Sequence, residues 1–287
     1  MWLLLSLLTA VATSAVDIIG KRLVGKVSPY VIGWAGGFFS LPFLLVLLLL
    51  ERPGPVAPIF WVALGTAAVT LSTSTILFYK AIERGDLSET VPILTFTPIF
   101  LLITSPLIVG EFPSLLGILG ILLIVGGAQI LFAHPDEPGL LGPFRRMIRA
   151  PGSRAMLWVA IIYSVGANID KVGVQASSPA VWGLAINMVM ALLLGAMMVM
   201  KGRGVVGQIL QHKGPLILTG VCVALIFLFQ MSALQLTIVP YVISVKRISI
   251  VLTSAWGVLF LREQGGWRRI FAAGLMVAGV FVVSFAR

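Results

Sequence analysis

Apolar residues run along this chain in stretches of about twenty, and polar residues are confined to short breaks between them. A helix needs about twenty such residues to cross the roughly 30 Å hydrocarbon core of a bilayer. The pattern predicts spans near 2–19, 30–50, 57–79, 89–109, 114–132, 155–173, 180–200, 215–236, 239–261 and 267–285. In hydrocarbon every backbone N–H and C=O must be satisfied within its own segment, and barrel strands would alternate in polarity over about ten residues, so these spans are helices. The expected fold class is an all-α integral membrane protein with ten transmembrane helices.

Slid against itself by about 150 residues, the chain pairs Ser14 with Ser164, Lys21 with Lys171, Ser28-Pro29 with Ser178-Pro179, and Gly33 with Gly183. Two residues more of offset continue the match, pairing Ala81 with Ala233, Glu111 with Glu263 and Gly127 with Gly279. A duplicated five-helix unit follows, residues 1–132 and 154–287, joined by a hydrophilic linker over 133–153 that holds Pro135, Pro138, Pro143 and Arg145. Five is odd, so the second unit enters the membrane oppositely to the first, giving inverted repeats around a central cavity as in secondary transporters. Basic residues follow the odd-numbered spans, from Lys21, Arg22 and Lys26 to Arg262, Arg268 and Arg269, whereas the other side holds Arg52, Lys171 and Arg287. By the positive-inside rule the odd loops are cytoplasmic, which puts both termini outside, in a plasma (inner) membrane protein.

Composition agrees with lipid as the solvent: 59% of the 287 residues are hydrophobic and 10% charged, more apolar surface than a soluble domain can hide. The net charge of +10 therefore orients helices and does not point to a nucleic-acid partner. Cys222 has no partner, and His134 and His212 fall in loops without ligand spacing, so neither a disulfide nor a metal site is readable. The N-terminal apolar run lacks the basic n-region of a signal peptide and belongs to the repeat. No Ser/His pair, paired aspartates or Gly-rich phosphate loop followed by lysine is found, so the reading is a non-enzyme with no catalytic residues, no cofactor and no direct use of ATP.

Lys246-Arg247 is the sharpest local signal, two cations about two turns inside the ninth span. Each costs about 2.5–3.5 kcal/mol at mid-membrane, somewhat less at this depth, so something compensates. One reading has them facing a wet cavity and binding an anion, Arg with a planar fork and Lys as a point charge. The other has them snorkel to the surface or pair with Asp170. Ser249 and Thr253 extend the polar stripe, and Gln230, Asn168 and Asn187 are intramembrane amides that suit ligand contact or cross-helix hydrogen bonds. Tyr163, Trp182 and Trp34 line a cavity or serve packing, and Thr95 joins the substrate-binding candidates from the fourth span.

That fourth span carries Pro92, Pro98 and Pro106 among Thr95, Thr97 and Ser105. Proline removes a helical donor and frees a carbonyl; the three together suggest a hinge, and singly each is a static kink satisfied by neighbouring hydroxyls. Asp17 and Asp170 are the candidates for ion or proton coupling, although Asp17 has Lys21 four residues on as an ordinary helical partner. Glu111 and Glu263 precede the fifth and tenth spans, where a carboxylate stabilises the open N–H groups of the helix that follows. Gly117, Gly120, Gly126, Gly127, Gly274 and Gly279 suit close helix approach.

The repeat, the ten spans, the stretch Thr90–Pro98 and the acidic residues in Gly110-Glu111 and Arg262-Glu263 together resemble the EamA-like group of the drug/metabolite transporter superfamily. The resemblance covers essentially the whole chain. It implies ten helices around a cavity, alternating access and, most often, metabolite export; it also implies cytoplasmic termini, against the charge distribution, which is followed here. The Lys246-Arg247 pair is similar to an arrangement in plastid sugar-phosphate translocators of the same superfamily. The expected function is secondary transport of a small metabolite, anionic or phosphorylated, with the bilayer and that substrate as partners. The alternatives are a flippase for a phosphate-bearing lipid head group, an exporter of amino acids or cationic drugs, and a non-transporting scaffold.

Overall fold

Ser28-Pro29 and Ser178-Pro179, matched by the repeat, each open a helix: Pro29–Leu50 and Pro179–Lys201. Proline suits a first helical position because its missing N–H has no intrahelical acceptor there. Ser178 Oγ adds a cap by accepting the Val181 N–H at 3.3 Å. The computed structural model describes residues 1–51, 53–83, 91–132, 151–201, 204–253, 256 and 267–286. In chain order these form α1 (Trp2–Leu23), α2 (Pro29–Leu50), α3 (Ile59–Glu83), a 3₁₀ segment (Val91–Phe96), α4 (Thr97–Ile108), α5 (Leu115–Phe132), α6 (Pro151–Gln175), α7 (Pro179–Lys201), α8 (Val205–Gln211), α9 (Lys213–Leu236), α10 (Val239–Lys246) and α11 (Trp267–Phe285).

The described residues are helical with no strand. Six helices, α1, α2, α3, α6, α7 and α9, are long and apolar enough to cross a membrane. Three more apolar stretches, Ile93–Ile108, Leu115–Leu131 and Ile270–Phe285, are shorter. Ten continuous spans are not confirmed among the described residues, and two differences have a local cause. The expected fourth span divides into the 3₁₀ segment and α4, with Pro98 in the first turn of α4. The expected ninth span stops at Lys246, turns through Arg247 and Ile248, and resumes as helix over 249–253. In that turn Arg247 N bonds Ser244 O and Ile248 N bonds Val245 O, the tighter i→i−3 pattern that replaces α-helical bonding. The short α8 lies between predicted spans, where hydropathy alone gives no helix signal.

Glycines set the closest helix approaches, and they do so reciprocally. A Cβ on Gly33 would meet Leu194 at 3.0 Å, and one on Gly183 would meet Leu44 at 3.4 Å, joining α2 to α7 by equivalent contacts. Between α5 and α11, a Cβ on Gly127 would lie 2.8 Å from the Ala272 carbonyl and one on Gly279 would lie 2.7 Å from that of Gly120. The helices of each pair run antiparallel. Gly117 makes room for the Tyr241 ring. Gly126 and Gly274 face nothing within 4 Å, so the close-approach reading fails for those two.

The outer surface is apolar where lipid would touch it: Trp61, Leu107, Trp158, Met200 and Phe281 are all exposed. Serine and threonine hydroxyls inside the helices mostly bond the carbonyl three or four residues back, as Thr9 does to Leu5 and Ser14 to Val11. Loops gather at two ends. Lys21, Lys80 and the α1–α2 connection lie at one; residues 51–57, 111–114, 176–180 and 237–239 lie at the other, where Ala57 N–H bonds the Ala176 carbonyl at 2.8 Å.

Candidate functional site

A cavity of about 250 Å³ lies among the helices, walled by residues of α1, α2, α3, α4, α6, α7, α9 and α10. The mutually paired α5 and α11 contribute nothing to it. The cavity touches Asp17 and Thr13 of α1, Thr70, Ser74, Thr75 and Tyr79 of α3, Tyr163 and Asp170 of α6, Asn187 of α7, Gln230 of α9, and Lys246, Arg247 and Ser249 beside the break after α10. A second hollow of about 240 Å³ shares Ile32 and Tyr79 with it and leads to the α1–α2 connection.

Both cations turn inward. Lys246 Nζ donates to Gln230 Oε1 at 2.7 Å, and Arg247 Nη2 donates to Thr97 Oγ1 at 2.8 Å. Thr97 Oγ1 donates its own hydrogen bond to the Leu94 carbonyl at 2.7 Å, so its lone pairs are free to accept from the guanidinium. Arg247 is 8% exposed and its Nε, among the described residues, has no hydrogen-bond partner. Snorkelling is therefore not how this chain accommodates the pair. Nor does Asp170 pair with either: among the described residues no carboxylate lies within the 4.0 Å of a salt bridge to Lys246 or Arg247. Asp170 Oδ1 instead accepts the indole N–H of Trp182 at 3.0 Å. Asp17 and Asp170 sit on the same cavity as the two cations, giving two positive and two acidic groups around one hollow.

Four candidate ligands fall elsewhere. Asn168 is buried between α6 and α4, where its Oδ1 accepts from Ser105 at 2.7 Å and its Nδ2 donates to Thr104 and to the Ser164 carbonyl. Both polar atoms of this amide are thus engaged between the helices, which leaves it only one acceptor lone pair. Trp182 is wholly buried, edge-on to Phe60 and against Gly173; it reaches the cavity only through Asp170. Thr95 accepts from Gln129 Nε2 at 2.7 Å, away from the cavity wall. Thr253 lies outside the wall as well, with its hydroxyl unpartnered among the described residues.

Other expectations shift too. Asp17 forms no ion pair with Lys21, which is exposed while Asp17 faces the cavity. Lys171 is not a loop cation: it is 4% exposed and bound to Glu111. Glu111 caps α10 of the second repeat, through Val239 N–H at 2.8 Å, and not the helix that follows it. Glu263 lies outside the described residues. Pro98 begins α4 and Pro106 sits inside it near its end, so of the hinge set these two flank a continuous helix, and the irregular backbone is the 3₁₀ segment that holds Pro92.

The polar face of α3 was not anticipated. Thr70 and Ser74, four residues apart, share a side of the helix, but Tyr79 stands about 140° further round from Ser74, so the periodicity of the sequence carried only part of the signal.

Two irregular segments, one in each half, thus meet at a cavity that holds buried charge. The profile of the EamA-like transporter family matches residues 1–133 and 151–285, two copies that together cover nearly the whole chain. The chain belongs to the EamA-like transporter family. Among solved structures, 29 chains match. One, titled only as the crystal structure of a protein, is similar at a TM-score of 0.79 and 16% identity, over 99% of this chain and 98% of that one, which establishes the shared fold. No curated protein matches. This EamA-like protein is accordingly a multi-pass membrane protein of a transporter family.

Proposed function

We propose that this EamA-like protein is a secondary carrier that moves a small metabolite bearing a phosphate or carboxylate group by alternating access. In this reading ten helices cross the membrane as two oppositely inserted units, 1–132 and 154–287, on either side of the linker 133–153. The reciprocal glycine contacts of α2 with α7 and of α5 with α11 support it, since antiparallel copies related by a two-fold axis must touch through equivalent residues. Basic loops at the Lys21 end support a cytoplasmic position for that end in a plasma (inner) membrane, with both termini outside.

The observation that carries the anion reading is Arg247. Its guanidinium is buried on the cavity wall with one nitrogen held by Thr97 and Nε unpartnered among the described residues. A buried charge with spare donors is costly, and an anion seated there would complete the fork. Lys246 supplies a second positive centre, steadied by Gln230. Ser249 and Tyr163 add hydroxyls at the cavity wall, and Asp17 and Asp170 are the groups placed to take up a coupling proton or cation. Apolar walls from Ile32, Ala67, Met190 and Phe227 suit a compact organic body attached to the anionic head.

The test is a thermal-shift panel on purified protein with sugar phosphates, organic acids, amino acids and cationic drugs, because a ligand that binds the folded state raises its melting point. Phosphorylated or carboxylated compounds should stabilise, and the variant Arg247→Gln should lose the response. Stabilisation by the cationic drugs alone would rule out an anionic cargo.

A further inference from the structure

At the end of the molecule away from Lys21, the ammonium of Lys171 sits 2.7 Å from Glu111 Oε1 and donates to the Thr237 carbonyl at 2.6 Å. The other oxygen of Glu111 accepts the backbone N–H of Val239 at 2.8 Å. Val239 opens α10, whose first N–H groups have no intrahelical acceptor, and a carboxylate there gains from both the hydrogen bond and the positive end of the helix. One ion pair, its lysine buried and its glutamate half-buried, therefore ties three segments together: the α4–α5 connection of the first repeat, the end of α6, and the α9–α10 connection that leads to Lys246 and Arg247. Glu51 makes a parallel tie, accepting from the Ser178 hydroxyl at 3.1 Å and the Ala180 N–H at 2.9 Å.

The opposite end differs. Lys21 corresponds to Lys171 in the repeat, yet it is exposed, and the hollow through Ile32 and Tyr79 continues the cavity in its direction. Among the described residues, Lys171 is held by a carboxylate while its repeat equivalent Lys21 is exposed. In a molecule built of two copies, that difference in exposure separates the two ends of the cavity.

We propose that Glu111 and Lys171 form the gate at this end of the cavity, and that their separation is coupled to closure of the Lys21 end. The proposal rests on the alternating-access reading but not on the identity of the cargo. Parting the pair frees the start of α10 from the first repeat, so the helix beside the anion contact moves with the gate.

Hydrogen exchange on purified full-length protein tests it, comparing wild type with Lys171→Met and Glu111→Gln. Glutamine keeps an oxygen for the Val239 N–H while removing the charge, so it remains informative where Lys171→Met fails to fold. A gate predicts about tenfold faster exchange over 176–182 and 237–242, together with slower exchange over 24–36. Faster exchange at the first end with no protection at the second would mean a static clasp and overturn the proposal, as would unchanged exchange at both ends. Stabilisation by inorganic phosphate or by a simple carboxylate, measured on the same samples, reports separately on the anion site: the absence of both with the two-ended exchange response intact would defeat the cargo reading and leave the gate standing.

Discussion

Arg247 and Thr97 hold near-equivalent places in the two repeats and meet at the cavity, guanidinium to hydroxyl at 2.8 Å. Each belongs to the segment that departs from α-helical geometry in its own half, Thr97 at the start of α4 after a 3₁₀ stretch and Arg247 in the turn after α10. A discontinuous helix offers backbone that a continuous one has already spent, and irregular backbone at membrane depth persists where it lines a cavity.

Arg247→Lys should weaken binding of whichever anion stabilises the wild type, even though the charge is retained. Lysine offers a point charge in place of a planar fork, and a hydrogen bond to a charged group contributes about 1.5–3 kcal/mol. Affinity should fall by roughly ten- to a hundredfold in a calorimetric titration. Equal affinity in the lysine variant would show that geometry at this position does not matter.

Thr97→Val removes the hydroxyl that holds Nη2 while keeping the side chain's shape. The guanidinium then loses a partner but not its place at the cavity, so affinity should drop by less than for Arg247→Lys, about five- to tenfold, reflecting one hydrogen bond of about 1 kcal/mol. The same variant should alter the response to Asp17→Asn, since Arg247, which Thr97 holds, also interacts electrostatically with Asp17 on the same cavity. Titrations on the double variant provide the check.

The helices, the duplication and the inward pair were legible because each leaves a one-dimensional trace: hydropathy, self-similarity, and charge inside an apolar run. What escaped depends on which face of a helix a residue takes. Asn168 and Gln230 look alike as isolated amides in apolar spans, yet one is consumed by Ser105, Thr104 and the Ser164 carbonyl and the other reaches Lys246 in the cavity. Lys171 was indistinguishable from a loop cation because its partner, Glu111, lies sixty residues away in the other repeat. The polar residues of α3 leave only a partial periodic trace, Thr70 and Ser74, and hydroxyls are tolerated anywhere in a membrane helix through bonds to their own backbone.

Asn168→Ala should therefore behave as a structural lesion. It breaks three hydrogen bonds between and within α6 and α4, worth about 0.6 kcal/mol each on average between membrane helices. The melting temperature should fall by a few degrees while the ligand-induced shift keeps its size. A variant that melts normally but no longer responds to ligand would return Asn168 to the site.

The glycines of α5 and α11 supply a contrast within one helix pair. At Gly279 a methyl group would lie 2.7 Å from the Gly120 carbonyl and 2.9 Å from Ile124 N, both backbone atoms that move only if α5 and α11 separate. At Gly126, on α5, nothing stands within 4 Å. Gly279→Ala should cost about 1–3 kcal/mol as overpacking, and Gly126→Ala should be neutral or slightly stabilising, because alanine restricts the unfolded chain more than glycine does. Since α5 and α11 take no part in the cavity wall, the stability lost in Gly279→Ala should leave anion affinity within about twofold of wild type. Melting curves with and without ligand on the two variants decide this, and a large affinity change in Gly279→Ala would show that the peripheral pair is coupled to the cavity after all.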